Sequence, residues 1–137
     1  MNYTRRELGL LLPALAAAEP AGEPFPSKTY PYGDLPATAN GPNRSRPVLD
    51  ARTHTGFPVE LHITTLGPGQ APHPPHHHVH EEILLLRTGI LDVTISGQTA
   101  RVTAGSVVSV ASGVEHGWKN PGSAHAEYFV FALGPKA

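Results

Sequence analysis

The sequence predicts an all-β protein built as a sandwich or a barrel, and three observations support this prediction. Short apolar segments recur at close spacing from residue 48 onward, with no helical periodicity between them. Segment 57–66 alternates, with apolar side chains on one face and Glu60 and His62 on the other. The 137 residues include 15 prolines and 14 glycines, which favour short strands and frequent turns over a helix bundle.

Composition limits the classes of function. A chain of 137 residues fits one domain. The formal net charge of -1 gives no electrostatic reason to expect nucleic acid or an anionic membrane surface as a partner. Because the chain has no cysteine, it can form neither a disulfide nor a thiolate ligand. Any bound metal would therefore be held by nitrogen and oxygen.

The N-terminal segment 1–18 has the order of a secretory signal peptide. The pair Arg5-Arg6 precedes an apolar run over 8–18, which ends in three alanines. The paired arginines resemble a twin-arginine export signal, which predicts export to the bacterial periplasm. The run is too short to act as a permanent membrane anchor. The alternative is an N-terminal amphipathic helix of a cytosolic protein.

Residues 19–47 are expected to form an extended arm or a linker. The segment contains seven prolines, which lack the amide donor that a helix or a central strand requires. Phe25, Tyr30 and Tyr32 give an arm aromatic side chains with which to dock on the domain or on a neighbouring subunit. The β-domain itself is expected over 48–137.

The strand pattern then runs to the end of the chain. A Gly/Pro loop over 67–75 separates the second strand from a histidine cluster, and Ser96-Gly97-Gln98 predicts a tight hairpin turn. The predicted strands are 48–53, 57–66, 83–88, 90–96, 99–102, 107–110 and 127–133.

Histidines are concentrated in one short stretch. Five of the nine lie between His73 and His80. On an extended chain, His76 and His78 point to the same side, and Glu82 follows four residues later. Imidazole and carboxylate groups at such spacing are typical of a divalent transition-metal site. His77 has the opposite parity and is expected to face away from the metal.

Two motifs resemble those of the cupin family. The spacing His76-x-His78-xxx-Glu82-xxxxxx-Gly89 is similar to the first cupin motif. The second motif follows in the expected order, from Gly105 through Ala111-Ser112-Gly113 and His116 to Asn120. The resemblance covers roughly residues 57–133. The sequence departs from it at Gln70, where the glycine is offset to Gly69, and at Ala111, which replaces a proline.

The resemblance implies an antiparallel double-stranded β-helix, or jelly-roll barrel, with a metal inside. It implies four ligands: His76, His78, Glu82 and His116. The ion would be one divalent transition metal, Fe, Mn, Ni or Zn. Small cupins are commonly dimers, so the resemblance also makes a homodimer possible.

Other side chains are candidates for support or for the pocket. His80 and Glu81 are expected to form hydrogen bonds around the ligands, and His62 could line the pocket beside them. Trp118, two residues after His116, is the preferred pocket wall. Four further apolar residues suit either the pocket lining or the barrel core: Ile63, Leu85, Phe129 and Phe131.

The function implied most directly is that of a quercetinase-like dioxygenase acting on a small chelating substrate, with Glu82 also accepting a substrate proton. The first alternative is a cupin that binds a metal or a small ligand without turnover. Oxalate decarboxylase or oxidase chemistry ranks lower, because His73 occupies the position at which those cupins carry an arginine. A metal-dependent isomerase or lyase is the remaining alternative.

Overall fold

The structure is a computed structural model that describes residues 24–136. The segment predicted as a signal peptide lies outside these residues. No helix within the described range is long and apolar enough to cross a membrane. The range contains a 3-10 helix, Tyr32–Asp34, and nine strands: β1 (Thr38–Asn40), β2 (Asn43–Arg52), β3 (Pro58–Leu66), β4 (Glu81–Thr88), β5 (Ile90–Ile95), β6 (Gln98–Thr103), β7 (Val107–Val110), β8 (His116–Lys119) and β9 (Ala126–Leu133).

The strands form two antiparallel sheets. One has six strands in the order β1-β2-β3-β9-β4-β7, and the other has three in the order β6-β5-β8. Their inner faces share one apolar core, in which Leu84 and Val130 of the larger sheet are clustered with Leu91, Val93 and Trp118 of the smaller sheet. The predicted all-β antiparallel architecture is confirmed.

Cross-strand register shows which face of each strand points into the core. On β4, Leu84 pairs with Val130, and on β3 His62 pairs with the same Val130. Because paired residues of antiparallel strands share a face, the more polar face of β3, which includes His62, points inward. Four of the candidate apolar residues lie on the outer face of the sheet, where Ile63 is nevertheless buried: Ile63, Leu85, Phe129 and Phe131.

Three local features differ from the predicted strands. β2 begins at Asn43, inside the Pro-rich segment, and a register shift between Pro47 and Leu49 accommodates the proline. β1 pairs only with residues 43–45, so Pro47 lies beyond that pairing. β8 was missed because a four-residue strand containing a glycine carries little periodicity.

Two glycine turns connect neighbouring strands, and the first of them was predicted. Ile95 pairs with Gln98, so Ser96 and Gly97 form the expected two-residue hairpin, and both have positive φ angles. Gly89 has φ +81° between β4 and β5, and a Cβ there would come within 2.8 Å of the Ala126 Cα and the His125 carbonyl oxygen. Gly89 is thus required both by its backbone conformation and by close packing.

Asn120 joins the two loops that lie beside the barrel mouth. The two hydrogens of its buried side-chain amide are shared among the carbonyl oxygens of Leu66, Gly67 and Ala124, which lie 3.1, 3.1 and 2.8 Å from the nitrogen. The backbone carbonyl oxygen of Asn120 accepts from the Gly69 amide at 2.9 Å. The loop that follows β3 is thereby fixed before the chain reaches the histidine cluster.

The Pro-rich segment is attached to the sheet through Tyr32. The Tyr32 hydroxyl donates to Glu127 of β9, whose carboxylate also accepts from Thr65 and Arg87. Burial raises the pKa of Glu127, but the hydrogen bonds from Tyr32, Thr65 and Arg87 and the Arg87 charge outweigh it, so the pKa lies below its usual 4.5. The ionised carboxylate therefore anchors the arm.

Glu127→Gln should destabilise the fold by about 1–3 kcal/mol near neutral pH, since it removes a charged acceptor of three donors. The folded pKa is depressed, so the stabilisation is fully present above the ordinary glutamate pKa and is lost as pH falls through the folded value. Urea unfolding at a series of pH values should show the gap between wild type and variant closing below roughly pH 4. The exposed Glu115→Gln should stay within about 0.5 kcal/mol of wild type. A Glu127 gap that is independent of pH would contradict the assignment.

Candidate metal centre

Three separate parts of the chain supply the clustered donors. His76 and His78 lie in the loop after β3, Glu82 is the second residue of β4, and His116 begins β8. His76 was expected at the end of a strand but lies in a loop, where it forms an isolated antiparallel bridge with His116. The two residues exchange backbone hydrogen bonds of 3.0 and 2.9 Å. This bridge attaches the histidine loop to the smaller sheet.

Backbone carbonyls fix the orientation of two imidazoles. The Nδ1 atom of His78 lies 2.8 Å from the carbonyl oxygen of His80, and the Nδ1 atom of His116 lies 2.9 Å from that of Val114. A carbonyl oxygen can only accept, so each Nδ1 carries the hydrogen. In the neutral rings the lone pair is then on Nε2, which is the tautomer that binds a metal through Nε2.

The structure brings the four predicted ligands together. Donor atoms of His76, His78 and His116 all lie within 4.8 Å of one another. Glu82 lies against two of them, with Oε1 3.2 Å from Nε2 of His78 and Oε2 3.3 Å from Nε2 of His116. At metal–ligand distances of about 2.1 Å and right-angle geometry, neighbouring donors would be about 3 Å apart. The separations of Glu82 from His78 and His116 suit ligands of one ion.

The donors also lack other partners. His78 Nε2, His116 Nε2, Glu82 Oε2 and His76 Nδ1 are buried and form no hydrogen bond within the described residues. In the neutral tautomers, the two Nε2 lone pairs face a carboxylate across little more than 3 Å. Such an arrangement is unfavourable unless a cation or a proton lies between the groups. An all-nitrogen-and-oxygen set of this kind fits a divalent transition ion.

Electrostatics favours the neutral form of His76. Burial lowers its pKa, and the neighbouring His73, His116 and His78 lower it further, whereas Glu82 opposes the shift. The neutral imidazole is the form that can coordinate a metal. The clustering of the histidines thus favours metal binding by His76, whose Nδ1 atom, unlike those of His78 and His116, has no hydrogen-bond partner among the described residues.

The predicted supporting residues divide into two groups. His80 joins the cluster: its ring stacks on His78 at 3.7 Å, and its Nε2 lies 3.4 Å from Glu82 Oε1. Glu81 is exposed, and His62 on the inner face contacts Glu60 at 3.0 Å, so the structure places neither in the groups of clustered donors. His77 is exposed, as its parity predicted.

Trp118 lies between the core and a neighbouring cavity. Its ring centroid is 5.6 Å from that of His116, and its Nε1 donates to the buried Tyr128 hydroxyl at 2.8 Å. It also lines a cavity of about 560 Å³ together with Pro74, Pro75 and His73. The side chain therefore belongs to the core and also borders this cavity.

His73 was considered in the sequence only as the residue that replaces the arginine of oxalate-degrading cupins, and the structure places it beside the donors. Its ring meets the His76 ring edge-on at 4.0 Å and lies 6.2 Å from Trp118, so it connects the cavity to the donor cluster. Its position three residues before His76 was the available signal. The backbone groups of Gly113 and Val114 were also missed, since side-chain patterns do not identify main-chain acceptors and donors.

The fold and the donor cluster together define a small β-barrel of jelly-roll type with side chains that could hold a metal ion. The family model described as "Cupin domain" matches residues 62–132, more than half of the chain, and the protein belongs to this family. No curated protein has a significantly similar sequence.

Solved structures confirm the barrel at low sequence identity. An RmlC-like cupin from Shewanella frigidimarina has a TM-score of 0.68 at 14% identity, covering 85% of this chain and 96% of its own. KdgF from Halomonas sp. also has a TM-score of 0.68, at 13% identity, covering 80% of this chain and 96% of its own. The polyketide cyclase RemF from Streptomyces resistomycificus has a TM-score of 0.66 at 20% identity, covering 77% and 78%. At such identities the likeness extends to the fold alone.

Proposed function

We propose that this cupin binds one divalent transition metal through His76, His78, Glu82 and His116. The observation that carries the proposal is the convergence of buried donor atoms that have no other partner among the described residues. Three imidazoles and one carboxylate suit Fe(II), Mn(II), Ni(II) or Zn(II). Four protein ligands leave about two positions of a six-coordinate ion for water or substrate.

The proposed reaction is oxidation of a small chelating substrate by dioxygen. When bound, the metal supplies Lewis acidity and, for a redox-active ion, electron transfer. None of the four donors lines the cavity of Trp118, Pro74 and Pro75, but His73, which also lines it, contacts the His76 ring. The apolar walls of this cavity suit an aromatic or otherwise apolar substrate body. Asp92 and Lys119 also line the cavity and offer polar contacts that orient the substrate.

Glu82 has a second role in the proposed reaction. Its Oε2 atom is buried without a hydrogen-bond partner, and Oε1 lies near both His78 and His80. A carboxylate in this position can accept a substrate proton on one oxygen while its other oxygen keeps its contacts with the histidines. His80 would hold Glu82 in position, through the 3.4 Å contact of its Nε2 atom.

His76→Ala should abolish stoichiometric metal binding, because it removes one of three imidazole ligands. Mass spectrometry of metals in protein purified from its native host should give about one ion per chain for wild type and far less for the variant. His77→Ala is the matched control, since His77 is exposed in the same loop and should retain the full load. A His76→Ala protein that keeps its metal would show that the ligand assignment is wrong.

His80→Ala should weaken metal binding by about 10–100-fold without lowering the stoichiometry at saturation. The variant retains the backbone carbonyl that orients His78 but loses the ring contact with Glu82. Competition titration against a chelator measures the affinity, and mass spectrometry measures the saturating load. Loss of stoichiometry would instead assign His80 as a ligand.

Dioxygen dependence tests the reaction. With a phenolic chelator such as a flavonol, the metal-loaded protein should consume dioxygen in proportion to product, as followed with an oxygen electrode, and Glu82→Gln should lower the rate. Equal turnover without dioxygen would favour a metal-dependent lyase or isomerase. A four-coordinate zinc without exchangeable water and without turnover would favour a binding protein.

A further inference from the structure

A second cleft lies on the outer face of the six-stranded sheet, on the opposite side from the metal donors. Cross-strand pairing places Arg44 of β2, Thr65 of β3 and Glu127 of β9 in one row. Arg46 lies two residues along β2, on the same face. The arm covers this row through Tyr32, leaving a cavity of about 420 Å³.

Glu127 is fully engaged in this cleft and cannot neutralise every arginine near it. Its Oε2 accepts from Tyr32 and Thr65, and its Oε1 accepts from Arg87. Its negative charge is thus balanced by Arg87. Glu127 is the only acidic residue among the described residues that line the cavity.

Arg44 and Arg46 remain without an acidic partner within residues 24–136. Arg46 stacks over the Tyr32 ring at 4.7 Å, and Arg87 lies 4.8 Å from the same ring. The Nη1 atom of Arg46 is buried and forms no hydrogen bond with any residue that the structure describes. Arg44 and Arg46 both line the cavity, and Arg46 and Arg87 place two positive charges around the Tyr32 ring. The surface is therefore locally cationic, and a bound anion would stabilise it.

We propose that this cleft binds a small multiply charged oxyanion through Arg44 and Arg46. Guanidinium groups present paired N–H donors that match phosphate and carboxylate oxygens. Thr65 and the arm residues Gly41 and Pro42 bound the space, so the ligand is a small molecule carrying a phosphoryl or a carboxylate group. The site is independent of the proposed metal chemistry, because it lies on the other face of β3 and β9.

Calorimetric titration of the full-length metal-loaded protein, in low-salt buffer without phosphate, tests the proposal. Inorganic phosphate and succinate are titrated separately. One saturable site is expected for at least one of them, and the preferred probe identifies the anionic group. Arg46→Gln and the exposed Arg44→Gln should each raise the Kd about tenfold or more.

Arg101→Gln is the matched control. It makes the same change in charge on the smaller sheet, where Arg101 pairs with Asp92, and should leave the Kd within about twofold. Thermal unfolding and metal content check that the variants are folded. If Arg46→Gln does not fold, Arg44→Gln alone tests the site. Failure of wild type to bind either anion, or equal weakening by all three variants, would overturn the proposal. Unchanged binding in folded Arg44→Gln and Arg46→Gln, as expected for an anion on the metal, would also overturn it.

Discussion

The backbone bridge between His76 and His116 determines where the donors lie. Two hydrogen bonds join the histidine loop to the first residue of β8, and a third, from the Gly113 amide to the His78 carbonyl oxygen at 2.8 Å, joins it to the turn before β8. The two sequence motifs thus meet through main-chain contacts as well as through their side chains. The larger sheet then contributes Glu82, so both sheets and the connecting loop must be in place before the donors converge.

Much of this architecture could be predicted from the sequence, because it depends on local signals. Alternation located β3, the Ser96-Gly97-Gln98 segment located the β5–β6 hairpin, and the spacing of three side chains located the donors of the first motif, His76, His78 and Glu82. The distant His116 required the second motif as well. The expected pairing of His76 and His78 survives in the loop, where their ring centroids are 5.1 Å apart, although no strand forms there.

The predictions failed where tertiary contacts decide the outcome. Alternation identifies two faces of β3 but does not say which is inside, and here the face with His62 and Thr64 is the inner one because its partners on β9 belong to the core. A strand that begins within a Pro-rich segment, such as β2, depends on its pairing with β1 and β3 more than on its own composition. The reaction is harder still to predict from the sequence, since it depends on which ion is bound and on which molecule occupies the cavity beside Trp118.

The alternation of β3 and β9 also separates two incompatible environments by the thickness of one sheet. Thr64 pairs with Tyr128 on the inner face, while the adjacent Thr65 pairs with Glu127 among the arginines outside. Inserting or deleting a single residue in either strand would exchange the faces of every residue beyond it. A shift in β9 that included Glu127 would turn its carboxylate toward the apolar interior and would turn Tyr128 and Val130 outward. Within these two strands, the count of residues therefore constrains the molecule more strictly than the identity of most of them.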